Sequence, residues 1–143
     1  MQRCLEIIQN QTHHSEVPIA AVIVDSNNKC LAEAYNQPIH LSDPTAHAEV
    51  CALRIACQHL GNYRLPNCTL YTTLEPCAMC FHALMHARIS RIVFAANDNK
   101  LGILSKKRYA ETHTLSNHHF TWTEGVQAAE AEQVLLHFFQ QKR

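Results

Sequence analysis

Residues 68–96 read CTLYTTLEPCAMCFHALMHARISRIVFAA. The first seven, CTLYTTL, are rich in Thr, Leu and Tyr, side chains that fit a pleated and partly buried surface, and predict a strand. Pro76 follows; proline is tolerated in a first helical turn, where its missing N–H costs no hydrogen bond. It therefore opens a helix from Cys77 to about His86. Residues 91–96 (RIVFAA) form a continuous apolar run of strand length. A strand, a helix and a second strand within 29 residues set the pattern for the rest of the chain.

Working outward, residues 18–24 (PIAAVIV) are another apolar run, ended by the polar turn Asp25-Ser26-Asn27-Asn28. A second apolar segment at 30–35 completes a predicted hairpin. Asp43-Pro44-Thr45 marks a helix start, with the helix running from 46 to about 59 before Gly61. Residues 1 to about 11 predict a short helix with Cys4, Leu5 and Ile8 on one side. Downstream, 97–117 is polar and mixed and predicts a loop with room for one short helix. Residues 120–122 suit a strand, and Thr123 or Glu124 begins a last helix. Its Ala128, Ala131, Leu135, Phe138 and Phe139 recur at 3.6-residue spacing and read first as core. Strands alternating with helices predict an α/β fold, one sheet covered on both faces.

At 143 residues the chain is expected to form a single domain, residues 1–143. With 47% hydrophobic side chains and only 3 glycines, disordered and collagen-like classes are excluded. No apolar run nears the roughly 20 residues needed to span a bilayer, and the polar N-terminus lacks the apolar stretch of a signal peptide. A soluble, cytoplasmic protein without membrane contact is expected. The 12 Lys and Arg balance the 12 Asp and Glu, which argues against a uniformly basic nucleic-acid coat. The balance is uneven: residues 1–75 carry 4 basic and 7 acidic side chains, a sum of −3, and residues 76–143 carry 8 and 5, a sum of +3. Lys100, Lys106, Lys107 and Arg108 form a local basic patch that leaves room for an anionic partner.

Seven cysteines are a poor disulfide framework, so metal binding and core filling are the alternatives. Cys77 and Cys80, three apart at a helix start, can converge on one ion, and the free N–H groups there favour thiolates. His47, at the start of another predicted helix, supplies a nitrogen. Two thiolates and one imidazole suit Zn²⁺, and three protein ligands leave the fourth tetrahedral position to water. Such a water falls to a pKa of roughly 7. Glu49, two residues from His47, can lie beside it without ligating and act as its proton acceptor. The rival arrangement is a closed structural knot with Cys51, four residues from His47 on one helical face, as fourth ligand. His82 and His86, also four apart, offer a second pair, for which a packed or solvated helix face is the plainer reading.

His47-Ala48-Glu49 with Pro76-Cys77-Ala78-Met79-Cys80 matches the H-x-E…P-C-x-x-C signature of zinc-dependent nucleobase deaminases. The chain resembles the cytidine deaminase superfamily, and within it the bacterial tRNA adenosine deaminases. The resemblance rests on EVPIAAVIV (16–24), Asn36 in AEAYNQPI, DPTAHAE (43–49), NYRLPNCTLYTTLEPCAMC (62–80), MHARISRIVFAANDNK (85–100), Asn117-His118, TEGV (123–126) and Phe138-Phe139. It implies a three-layer α/β/α sandwich with a five-stranded mixed sheet. It implies His47, Cys77 and Cys80 as ligands of one Zn²⁺ per subunit and Glu49 as the catalytic proton shuttle. It further implies that Asn36 bonds the flipped base, although an Asn before Gln-Pro also serves as a turn cap. The backbone around Ala48, Leu74 and Glu75 would read the polar edge of the base. Asp98 and Lys100 would meet the RNA backbone, with Asn117, His118, Phe138 and Phe139 near the substrate rim. The implied activity is hydrolysis of adenosine to inosine in a tRNA anticodon loop by a homodimer. A free guanine, cytosine or cytidine as substrate, or a zinc-stabilised RNA-binding subunit without turnover, are the alternatives.

Overall fold

The computed structural model describes residues 1–11, 15–105 and 117–142. Helix α1 (Gln2–Gln9) precedes the hairpin of β1 (Ala20–Val24) and β2 (Cys30–Tyr35). These strands pair antiparallel from Ala20↔Tyr35, with a bulge between Ile23 and Val24. The turn between them is built by Asp25, whose Oδ1 accepts the N–H groups of Asn27 (2.8 Å) and Lys29 (2.9 Å). Asn28 takes the left-handed conformation (φ 61°) that its short polar side chain tolerates.

A single-turn helix that the sequence did not suggest, α2 (Pro38–Leu41), follows, then α3 (Ala48–Leu60), which ends on Gly61 in the left-handed conformation (φ 61°). Asp43-Pro44-Thr45 is a turn ahead of α3 rather than its first residues. The Asp43 carboxylate accepts the N–H (2.8 Å) and hydroxyl (2.7 Å) of Thr45, and His47 takes the N-cap position. Strand β3 (Thr69–Leu74), helix α4 (Ala78–His86) and strand β4 (Arg91–Ala96) then reproduce the reading of residues 68–96 to within a residue at each end. Strand β5 (Thr121–Thr123) and helix α5 (Ala128–Gln141) complete the described chain.

The five strands form one sheet in the order β2-β1-β3-β4-β5. The β1 pairings with β2 and β3 are antiparallel, and those of β4 with β3 and β5 are parallel, so the sheet is mixed. Alternate side chains of each strand enter different cores. Ile23, Leu70, Ile92 and Phe94 pack with Ala52, Leu53, Phe81 and Leu84 of α3 and α4 on one face. Ala20, Val22, Ala95 and Ala96 pack with Cys4, Leu5 and Ile8 of α1 and Ala131 of α5 on the other. This is the expected three-layer α/β/α sandwich.

Two expectations for the C-terminal part are corrected. Helix α5 starts at Ala128, not at 123 or 124, because Gly125 (φ 82°) and Gln127 (φ 58°) hold left-handed backbone that no helix can include. Phe138 and Phe139 are not core: only Ala131 of α5 is buried, Phe138 is half-buried and Phe139 is 51% exposed. The small side chains of Ala95 and Ala96 let α5 approach the sheet through its own alanine. Lys106, Lys107, Arg108, His13 and His14 lie outside the described residues. No described helix is long and apolar enough to cross a membrane.

Candidate active site

Strands β3 and β4 are parallel and end side by side at Leu74 and Ala96, where the Glu75 N–H bonds the Ala96 carbonyl (2.9 Å). The crevice beyond the carboxyl ends of such strands is where α/β sheets place their ligands. Two helices start there. His47 is the N-cap of α3 and Cys77 the N-cap of α4, both in extended conformation. Neither side chain caps its own helix, and both are turned toward each other instead.

His47 Nδ1 lies 3.7 Å from Cys77 Sγ and 3.5 Å from Cys80 Sγ, and the three donor atoms fall within 4.8 Å of one another. Zn–S and Zn–N bonds of about 2.3 and 2.0 Å at a tetrahedral angle separate nitrogen from sulfur by about 3.5 Å. The donor set and its spacing therefore fit Zn²⁺. Cys51 is buried in the core between α3 and the sheet and stands outside this group, which has three members among the described residues. Among the described residues no fourth donor joins the group, whereas the closed knot requires Cys51 in it. His82 is occupied in its own helix, its Nδ1 donating to the Ala78 carbonyl (2.7 Å).

Electrostatics in the metal-free site follow from these contacts. The Cys77 thiol is pulled down to about 4, chiefly by the hydrogen bond from Cys80, with His47 adding to the effect. Cys80, which supplies that proton, is raised correspondingly. His47 is raised by its bond to the Cys77 thiolate. The proton shared by the two sulfurs is the one a dication displaces.

Glu49 sits in the first turn of α3, two residues from His47, and is only 4% exposed. Burial pushes its carboxyl up to about 7, with the Cys77 thiolate adding to the rise. A carboxyl near neutrality can both take up and release a proton at working pH. Burial, the proximity of the metal donors and this shift are the properties expected of a proton-transfer group.

His47, Glu49 and Cys77 line a cavity of about 160 Å³ with Asn36, Leu74, Glu75, Asp98, Leu101, Val17 and Ile19. Asn36 is buried, its N–H held by the Ile19 carbonyl (2.9 Å). Its side-chain amide takes no hydrogen bond among the described residues, which leaves it to the cavity rather than to a turn. Ala48 is fully buried at the first turn of α3, where backbone N–H groups have no intrahelical partner. A larger hollow of about 590 Å³ adjoins this cavity through Val17, Leu74, Asp98 and Leu101, and its wall includes Lys100 and Phe139.

The remaining residues implied by resemblance are not gathered here. Phe138 faces a separate hollow beside α1, with Ile8 and Glu16. Asn117 is exposed, and His118 Nε2 donates to the Ile89 carbonyl (2.6 Å), ahead of β4 at the opposite end of the sheet. Asn117, His118 and Phe138 are not among the described residues that line the cavity. The carboxylate of Glu75, which the sequence suggested only for its backbone, is spent on the loop at 98–105. An acidic residue set between an apolar strand and Pro-Cys was the available signal.

The family model for the cytidine and deoxycytidylate deaminase zinc-binding region matches residues 1–96. The tRNA-specific adenosine deaminase of Haemophilus influenzae is 43% identical over 143 residues, covering 100% of this chain and 83% of that protein. A solved structure from a study of A-to-I editing by tRNA:A34 deaminases at the wobble position superposes with a TM-score of 0.86 at 38% identity, covering 94% of this chain and 97% of that one. A guanine deaminase from Bacillus subtilis is 40% identical and reaches a TM-score of 0.63, covering 67% of this chain and 61% of that one. The zinc-compatible donor set, the buried glutamate beside it and full-length similarity converge: this chain belongs to the cytidine and deoxycytidylate deaminase family, and within it to the tRNA-specific adenosine deaminases.

Proposed function

We propose that the protein hydrolyses adenosine to inosine at the wobble position of tRNA and releases ammonia. The observation that carries this reading is the buried Glu49 carboxyl two residues from His47, beside the His47, Cys77 and Cys80 donor group. His47, Cys77 and Cys80 would hold zinc, which when bound would supply the Lewis acidity that brings a water's pKa down to roughly 7. Glu49 takes the proton from the attacking water and delivers it to the ring nitrogen beside C6. It then carries a second proton to the departing amine. One water is consumed, the C6–N bond breaks, and inosine and ammonia leave.

The other residues of the cavity hold the base. The Asn36 amide offers a donor and an acceptor, and the Ala48 and Leu74-Glu75 backbone offers fixed polar atoms to the edge of the base. A base drawn from a single-stranded loop enters without the few kcal/mol that extrusion from a duplex takes. Asp98, Lys100 and Phe139, at the adjoining hollow, are suited to the flanking nucleotides. In the same reading residues 1–143 form one deaminase domain that works in the cytoplasm as a homodimer. Exposed Ile39, Leu41, Ile55, Leu60 and Met79 on α2, α3 and α4 support the last point.

The test is ammonia release by the zinc-loaded protein, offered in parallel tRNA with wobble adenosine, free guanine, free cytosine, free cytidine and free adenosine. Turnover of the RNA alone is expected. Turnover of guanine alone would move the substrate to a free purine and keep the site. RNA binding without any turnover would leave a zinc-stabilised binding subunit. Light scattering at working concentration checks the dimer.

A further inference from the structure

Glu75 is 2% exposed, and no cation pairs with it among the described residues. Its charge is met by four hydrogen bonds from one loop. Oε1 accepts the N–H groups of Leu104 (2.7 Å) and Ser105 (2.8 Å), and Oε2 accepts the Asp98 N–H (3.0 Å) and the Ser105 hydroxyl (2.7 Å). With both oxygens doubly engaged, this carboxylate has no lone pair to spare for a substrate proton.

The loop so held is internally tight. Asp98 Oδ1 accepts the N–H groups of Lys100 (2.8 Å) and Leu101 (3.0 Å), and the Asp98 carbonyl accepts that of Gly102 (3.1 Å). Gly102 in turn forms an antiparallel bridge with Cys77. A Cβ at Gly102 would run into the Glu75 carboxylate and the Asp98 carbonyl, so backbone and carboxylate pack without room for a methyl group. The loop gives the cavity Asp98 and Leu101, which line it together with Asn36 and Glu49.

We propose that Glu75 is a positioning residue: it braces the loop at 98–105 against the start of α4 and thereby sets the substrate-facing wall of the cavity. Glu75 acts on binding through Asp98 and Leu101 and takes no part in proton transfer. This deepens the deaminase reading and rests on it only for the choice of substrate.

Glu75→Gln puts an NH₂ group against at least one backbone N–H, because of the four donors only the Ser105 hydroxyl can turn and accept from it. Two readouts test it on the zinc-loaded protein. Hydrogen exchange at the Asp98, Leu104 and Ser105 amides, which needs no substrate, is expected to quicken by about tenfold or more at one or more of them. In steady-state kinetics on wobble-adenosine tRNA, KM is expected to rise about tenfold, with kcat within about threefold and zinc at one per chain. If tRNA is not turned over by the wild type, the same kinetics on whichever base is used replace it. Failure of the substrate reading is then separate from failure of the brace.

Ser105→Ala removes one of the four bonds and covers the case in which Glu75→Gln does not fold. It is expected to shift exchange and KM in the same direction by about threefold, and to add nothing further in the Glu75→Gln background. Unchanged exchange in Ser105→Ala, or in a folded Glu75→Gln, overturns the brace. So does a loss confined to kcat, which would make Glu75 a catalytic residue.

Discussion

Glu49 and Glu75 are both glutamates, both line one cavity and both are nearly sealed from water, at 4% and 2% exposure. Their surroundings differ. Around Glu75 a loop supplies four donors, and the carboxylate is fixed as an acceptor. Around Glu49 the neighbours are the Cys77 thiolate, the Cys80 thiol and the His47 ring, and burial holds its proton on up to about neutrality. A buried carboxylate keeps its proton where desolvation outweighs the donors around it, as at Glu49 with its own N–H and the Cys80 thiol, and is fixed as an acceptor where the fold supplies enough of them, as at Glu75. In the reaction we propose, Glu49 moves protons and Glu75 holds the wall they move behind.

The sharpest way to break the comparison is to remove the metal donors on which Glu49's role depends. His47→Ala and Cys80→Ala are each expected to lose bound zinc and all measurable turnover, whereas Cys51→Ser keeps one zinc per chain by elemental analysis. Zinc loss in Cys51→Ser would restore the closed knot and take away Glu49's open position.

Next in size is a pH effect on the metal-free protein. Between about 4.5 and about 7 the folded chain holds a proton on Glu49 that the unfolded chain has released. This contribution to stability is therefore fully present below the lower value and is lost as pH rises through the upper one. Metal-free Glu49→Gln, which cannot ionise, should match the wild type near pH 4 and exceed it by about 3 kcal/mol above pH 7. Urea unfolding at several pH values checks this, and a constant difference would contradict the burial argument.

Two smaller effects sharpen it. His118→Ala loses a bond at the far end of the sheet and should cost about 1 kcal/mol of stability, with kcat/KM unchanged. A clear fall in kcat/KM would bring His118 back to the substrate. Glu16, a third buried carboxylate, accepts the His40 N–H (2.7 Å) and holds α2 next to Asn36. Glu16→Gln keeps an acceptor oxygen, so the expected loss is below about 1 kcal/mol in thermal unfolding, the smallest of the set.

The pattern of readable and unreadable features has a physical basis. Strands β1 to β4 are short apolar runs bounded by turn residues, and the helix starts at His47 and Cys77 follow polar or proline signals, so local chemistry reveals them. The donor triad was legible because ligand spacing is local for Cys77 and Cys80 and the motif supplies His47. Position relative to the sheet is not local. His118 and the C-terminal phenylalanines are implied near the substrate by resemblance, but His118 bonds the Ile89 carbonyl ahead of β4 and Phe138 lines a separate hollow beside α1. The 3.6-residue period of α5 marks its inward face without saying how deep it sits, and alanines on both sides leave Phe139 at the surface. Glu75's role needed the loop 23 to 30 residues later in the chain, a pairing that no short motif carries.

The most direct test of the central claim compares zinc-loaded wild type with Glu49→Gln in a single-turnover assay for inosine at the wobble position of tRNA. The account predicts inosine with the wild type. With Glu49→Gln it predicts a rate lower by about 10²–10⁴, at equal zinc content and equal tRNA binding. Inosine formed at the wild-type rate by Glu49→Gln would contradict it, because the buried carboxyl would then have no part in the proton transfers.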